Sequence, residues 1–170
     1  MGFIIKFVEH EVPVKGFYKC DYCNPDAVEK VIRYIFRKNG RKKNKVLPSE
    51  FDIFGSIGTY HKNIPGIIDD FIKTKEVFGK TDGVQIKHLL ISFSKPPKLT
   101  PTKLKKFIIK ALKYYWRDYQ LVYAVHEDTD NLHIHVGINS VSNDGMKFSV
   151  RAEDMKAFRK RTEKIFKECF

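Results

Sequence analysis

The chain has 170 residues, 42% hydrophobic and 14% aromatic, enough for one domain with a real core and too apolar for a disordered tail. No apolar run approaches the roughly 18 residues of a membrane span, and GFIIKFVEH is charged too early for a secretory signal, so a soluble cytoplasmic protein is expected. With 32 lysines and arginines against 20 acidic residues, the net charge of +12 favours a polyanionic partner, most economically nucleic acid, because neutralised phosphates release condensed counterions.

Residues 2–9 predict an opening strand and residues 10–23 an irregular connection. Within that connection KCDYCN has the spacing of half a zinc site, but no second pair follows Cys20 and Cys23; with Cys169 they form an odd trio, as expected of reduced thiols. Asn24 and Pro25 supply cap and first-turn chemistry for a helix through residue 38, on which Val28, Val31, Ile32, Ile35 and Phe36 recur at helical spacing. RKNGRKKNK (37–45) then sets six cations in nine residues around a glycine and reads as a basic loop. Residues 51–63 fit neither period clearly. A helix is expected over 65–78, and a strand apolar on both faces over 84–94, ended by Pro96 and Pro97.

Thr100 and Pro101 open a further helix, with Leu104, Phe107, Ile108, Ala111, Leu112 and Tyr115 as its apolar stripe. LVYAVH (121–126) and LHIHVGINS (132–140) predict two strands, NDG (143–145) a turn, and 152–168 a closing basic helix. This order implies an α+β fold, a mostly antiparallel sheet with helices against it, as a single domain over 1–170.

Chemistry concentrates in HEDTDNLHIHVGINS (126–140), which holds three of the six histidines. Alternation along the second strand puts Leu132, Ile134, Val136 and Ile138 on one face and His133, His135, Gly137 and Asn139 on the other. If DTDN (128–131) is a four-residue hairpin loop, His126 stands opposite His133 and Ala124 opposite His135, so all three imidazoles share a face. Opposed Cβ atoms lie about 5 Å apart, near enough for imidazoles to converge on one cation at roughly 2 Å. Small Ala124 and Gly137 are expected to leave room beside it. Three ligands with no obvious fourth is the pattern of a catalytic metal, and Glu127, Asp128 and Asp130 are placed to fix the ring tautomers. The competing reading is a solvated sheet face that happens to carry histidines.

HEDTDNLHIHVGIN resembles the third motif of plasmid mobilisation relaxases, members of the HUH endonucleases named for a histidine-hydrophobe-histidine core. KTKEVFGKTDGVQIKHLLISFSKP resembles the segment that precedes this motif in the family, and AVEKVIRYIFRK the N-terminal segment that carries a nucleophilic tyrosine; together they cover most of residues 26–145 in order. The resemblance implies an HUH, ferredoxin-like relaxase core that nicks one strand of a transfer origin through a 5′-phosphotyrosine link. By position it implies His126, His133 and His135 as ligands of a divalent metal and Tyr34 as nucleophile. Magnesium or manganese is implied in function, and zinc or nickel also suit an imidazole-rich site. Single-stranded DNA and accessory mobilisation proteins are the implied partners.

Helical geometry puts Tyr34 roughly 110° from the centre of the apolar stripe, beside Lys30 and Lys38. A phenol is a poor nucleophile unless cations assist it, and these neighbours suit that need. Tyr60, next to His61, and Tyr18 are the other tyrosine candidates; His10 and His61 are outside candidates, since some relatives use a histidine. His88 matches a family position and is expected to be a buried, hydrogen-bonded ring. Lys30, Arg37, Lys38, Arg41, Lys42, Lys43 and Lys45 are expected to contact DNA, with the closing helix completing a groove for the strand. Phe36 and Phe148 are candidates to stack bases, against a role in the core. A replication initiator or transposase with the same chemistry, and a non-catalytic nucleic-acid module, remain alternative readings. Many relaxases continue into further regions, so a minimal protein and an excised catalytic domain are both expected possibilities.

Overall fold

The computed structural model describes residues 3–8, 22–37, 53–94, 99–127 and 131–170. Tyr18, His10, Cys20, Lys38, Arg41, Lys42, Lys43, Lys45, Asp128 and Asp130 lie outside these residues. The described elements are β1 (Phe3–Phe7), α1 (Ala27–Ile35), β2 (Phe54–Ile57), α2 (Ile64–Val77), β3 (Ile86–Phe93), α3 (Pro101–Trp116), β4 (Leu121–His126), β5 (Leu132–Asn139) and α4 (Ala152–Cys169). The strands form one antiparallel sheet in the order β1-β3-β5-β4-β2, so the fold is α+β as the sequence implies.

Alternation on the central strands divides the core in two. Leu89, Ile91 and Phe93 of β3, Leu121, Tyr123 and Val125 of β4, and Leu132, Ile134, Val136 and Ile138 of β5 face α3 and α4. There Phe107, Phe158 and Phe166 complete an aromatic layer, with Phe93 and Phe166 ring centroids 5.1 Å apart. The opposite face carries Ile86, Val122 and Ala124 and is covered by α1 and α2 through Val28, Val31, Ile32, Ile35, Ile67, Ile68 and Phe71.

Helix starts carry a side-chain cap bond in two cases of four. Asn63 Oδ1 accepts from Gly66 N at 2.8 Å and Thr100 Oγ1 from Lys103 N at 3.3 Å, each before a proline in the first turn. α1 begins later than Asn24 and Pro25 suggest: Asp26 is its cap and makes no side-chain cap bond, while Ala27 N donates to the Asn24 carbonyl. The ambiguous 51–63 segment contains the edge strand β2, which pairs Phe54 with Ala124 and Ile57 with Leu121. At the other edge, both Nε and a terminal nitrogen of Arg159 donate to the Ile5 carbonyl, covering an acceptor of the edge strand β1.

Candidate active site

The hairpin register places His126 opposite His133, Ala124 opposite His135 and Val125 opposite Ile134. That pairing is the one expected from a four-residue turn. All three imidazoles therefore emerge on the α1–α2 face, with His126 and His135 ring centroids 4.3 Å apart and His133 and His135 6.5 Å apart. β3 adds a fourth ring to this face, because His88 pairs with Gly137, one step diagonal to His135.

Gly137 does not leave room for an ion. A Cβ there would stand 2.7 Å from Val122 Cγ2, 3.0 Å from Ile35 Cδ1 and 3.2 Å from Ile86 Cδ1, and Ala124 belongs to the same apolar cluster. The missing side chain instead lets α1 lie close against β5. Close docking has two results: the Ile35 carbonyl accepts from His126 Nε2 at 2.8 Å, and the neighbouring residue, Tyr34, is held over the imidazoles. The Tyr34 ring centroid is 5.5 Å from His135, 5.8 Å from His88 and 6.2 Å from His126.

Tyr34 is 40% exposed, so its ring faces both the histidines and solvent. Arg37, one turn on, donates to the Tyr34 hydroxyl at 3.3 Å and places its guanidinium 4.1 Å from the ring centroid. His126 is buried at the base of the group, whereas His133 and His135 are half-exposed. Lys30 pairs with Asp26 of its own helix at 2.6 Å, and Glu127 follows β4 half-buried.

His88 is buried and hydrogen-bonded, as expected. Its Nε2 lies 2.9 Å from His135 Nδ1 and its Nδ1 lies 3.1 Å from the Tyr22 hydroxyl, so a chain of hydrogen bonds runs Tyr22, His88, His135. Tyr22 was not anticipated: it is 66 residues from His88, and no local pattern announces a contact at that separation. A cavity lined by Tyr22, His88, Phe7 and Phe148 opens beside this chain and does not include the other histidines or Tyr34. Burial, followed by the neighbouring His126, His88, His133 and Arg37, pushes the His135 pKa down to about 2, which keeps the ring neutral.

The donor chemistry suits a divalent ion. Metal ligation needs neutral imidazoles, and the His126 Nε2–H bond to Ile35 leaves the lone pair on Nδ1. Among the described residues no group of three His, Cys, Asp or Glu side chains is placed to hold a metal ion; His135 Nδ1 lies 2.9 Å from His88 Nε2, and His126 Nε2 donates to the Ile35 carbonyl.

Tyr60 does not join this group. It follows the end of β2 that pairs with Leu121, five residues along β4 from His126, or about 17 Å of strand. His61 is held by Asp70, with N to Oδ2 and Nδ1 to Oδ1 both at 2.8 Å. Burial raises the Asp70 pKa, but these bonds outweigh it and hold the carboxylate below its ordinary value. The closing helix α4 lies on the other face of the sheet, so it does not line a groove with α1. Phe148 packs on Phe7 and Tyr119, and Phe36 on Phe54. Among the described residues no helix is long and apolar enough to cross a membrane.

Residues 34–169 match the family of relaxases described as MobA/VirD2-like, nuclease domain. The protein rlx of Staphylococcus aureus is 30% identical over 96 residues, 56% of this chain and 29% of its own length. The protein TraI of Escherichia coli is 25% identical over 140 residues, 79% of this chain and 17% of its own. The chain thus spans under a third of these relatives. A structure solved for the molecular basis of vancomycin resistance transfer in Staphylococcus aureus superposes with a TM-score of 0.51 at 12% identity, covering 82% of this chain and 83% of that one, and so shares the fold.

Proposed function

The chain belongs to the MobA/VirD2-like relaxase nuclease-domain family, and on that premise we propose that it is a metal-dependent DNA-nicking enzyme acting on one strand of a transfer origin during mobilisation. The observation that carries this reading is Tyr34 held over the imidazoles of His126, His135 and His88 by the close docking of α1. In the proposed step the Tyr34 oxygen forms a bond to the scissile phosphorus and the bond to the 3′-oxygen breaks. The phenolic proton is lost, the 3′-oxygen leaves as a hydroxyl after taking a proton, and the 5′-phosphate stays on Tyr34. Arg37 stabilises the phenolate as it forms.

His126, His133 and His135 would hold a divalent ion, which when bound supplies charge neutralisation at the phosphate. For His135 to offer its Nε2, its Nδ1–H donates to His88 Nε2 and the His88 Nδ1–H donates to the Tyr22 oxygen; this relay sets ring orientation and tautomer. Half-exposed His133, Leu90 and exposed Ile4 mark the part of this face that no described helix covers, and there the strand would enter. Glu127, Asp128 and Asp130, which follow β4 in the sequence, would support the rings. Lys30, Arg37 and the cations at 38, 41, 42, 43 and 45 would bind the strand's phosphates. In this proposal residues 1–170 act as one catalytic domain, with accessory mobilisation proteins as further partners.

Nicking of supercoiled plasmid carrying a cognate origin, in manganese or magnesium, tests the reading. Tyr34→Phe should lower the rate at least about 10⁴-fold while melting at the wild-type temperature. A variant that still nicks at a comparable rate would remove Tyr34 from the chemistry.

A further inference from the structure

The charge of the protein is unevenly shared between its two helical layers. α1 and α2, over the histidines, hold four cations (Lys30, Arg33, Lys73, Lys75) and four acids (Glu29, Asp69, Asp70, Glu76). Lys30, Arg33 and Lys73 each pair with an acid one turn away on the same helix, and Lys75 is buried. On the far side of the sheet, α3 has five lysines and no acidic residue, and α4 has six cations against four acids. Here the exposed cations are mostly uncompensated. Lys110 pairs with Glu168, whereas Lys103, Lys106 and Lys113 on α3 and Lys156, Lys160, Lys164 and Lys167 on α4 have no carboxylate within ion-pair distance among the described residues.

These lysines form rows. At 100° per residue, Lys103, Lys106, Lys110 and Lys113 fall within about 80° of one another, opposite the apolar stripe of α3, and Lys156, Lys160, Lys164 and Lys167 fall within a similar wedge on α4. Each row runs about 15 Å along its helix. The helices pack antiparallel, with Phe107 against Phe166 and Tyr115 against Phe158, and Arg161 stacked 4.8 Å from Tyr114 bridges them.

We infer that the outer face of α3 and α4 is a second nucleic-acid surface, which binds the phosphate backbone of duplex DNA on the side of the sheet opposite Tyr34. The choice of DNA rests on the proposed nicking activity; the charge rows themselves do not. Duplex is favoured over single strand because unpaired bases are bound by grooves with several stacking aromatics, and Tyr114 is the one exposed aromatic of these two helices. An anionic membrane is disfavoured because surface-bound helices insert large apolar side chains, and apart from Tyr114 these helices expose none. A duplex presents one charge per roughly 1.7 Å of axis, so a 15 Å row meets several phosphates at once. The protein would hold duplex beside the nick while the strand is worked on the other face.

The test is fluorescence anisotropy with a 30-base-pair duplex of unrelated sequence, titrated in salt, on the full chain and on a variant carrying Lys103→Gln, Lys106→Gln, Lys113→Gln, Lys156→Gln, Lys160→Gln and Lys164→Gln. The variant should lose at least about tenfold in duplex affinity at 0.1 M salt, and its log–log salt slope should flatten by about 3 to 5 units. Formation of the covalent adduct on a short single-stranded oligonucleotide should stay within twofold of wild type. Duplex affinity and slope equal to wild type would overturn the inference, as would wild-type binding to phosphatidylserine vesicles that exceeds duplex binding and is lost in the variant. No adduct with either protein, beside a flattened slope, would sink the nicking reading and leave this surface standing.

Discussion

The two faces of the sheet are built by the same alternating strands and differ in what they bury. Toward α3 and α4 the core is aliphatic and aromatic, with Phe93, Phe107 and Phe166 packed edge to face and Phe158 edge-on to Tyr115. Toward α1 and α2 the sheet buries His126, His88, Asn139 and Lys75 as well as apolar groups. Among the described residues Lys75 Nζ donates to the Gln85 carbonyl and Asn139 Oδ1, at 3.1 Å each, and Asn139 in turn donates to Phe71 O and Gln120 Oε1. One face supplies stability; the other holds polar groups whose burial is unfavourable unless each finds a partner. Aromatic packing and the buried polar groups around the histidines are thus segregated across a single sheet, which makes the two separable by mutation.

The largest separation should come from Phe107→Ala. Deleting a fully buried ring from the aromatic layer should lower stability by about 3–5 kcal/mol by urea denaturation, with nicking per folded molecule unchanged. Gly137→Ala works on the other face. The added methyl meets Val122, Ile35 and Ile86, and should cost up to about 3 kcal/mol while also slowing nicking, because lifting α1 carries Tyr34 off the histidines. His88→Phe keeps an aromatic ring but removes both nitrogens and so cuts the link to His135; manganese affinity by calorimetry should fall about 10- to 100-fold, with a smaller loss in Tyr22→Phe.

Lys75 gives a pH signature confined to the α1–α2 layer. Burial lowers its pKa from 10.5 to about 8. Below pH 8 it is charged in both states, so folding bears the full burden of burying a cation. Above pH 8 the folded state releases its proton first and the unfolded state binds more, so stability rises with pH. Between pH 8 and 9.5 the wild type should gain about 1.5 kcal/mol relative to Lys75→Met, measured by denaturation at each pH. Parallel curves for the two proteins would mean that Lys75 is not desolvated.

What could be read in advance follows from how locally each feature is encoded. The strand period of LHIHVGIN and the length of the turn before it are local, and they placed three histidines on one face in the register observed. β2 was illegible because a four-residue edge strand has too few positions for a period; its Phe54 is exposed against Phe36 rather than buried. Gly137 was misread for a similar reason. A glycine in a strand announces close approach, but not whether an ion or the Ile35 side chain does the approaching. The Tyr22–His88–His135 chain and the placement of the terminal helix depend on tertiary packing alone, so no window of sequence contains them.

The central claim is that Tyr34, poised above the imidazoles, is the group that reacts. Incubating the protein with manganese and a pool of single-stranded oligonucleotides, digesting the covalent product and sequencing the adducted peptide by mass spectrometry tests it most directly. The account predicts a phosphonucleotide on Tyr34. Modification of Tyr60, at the far end of β4, or a complete lack of adduct with every sequence in the pool, would contradict it.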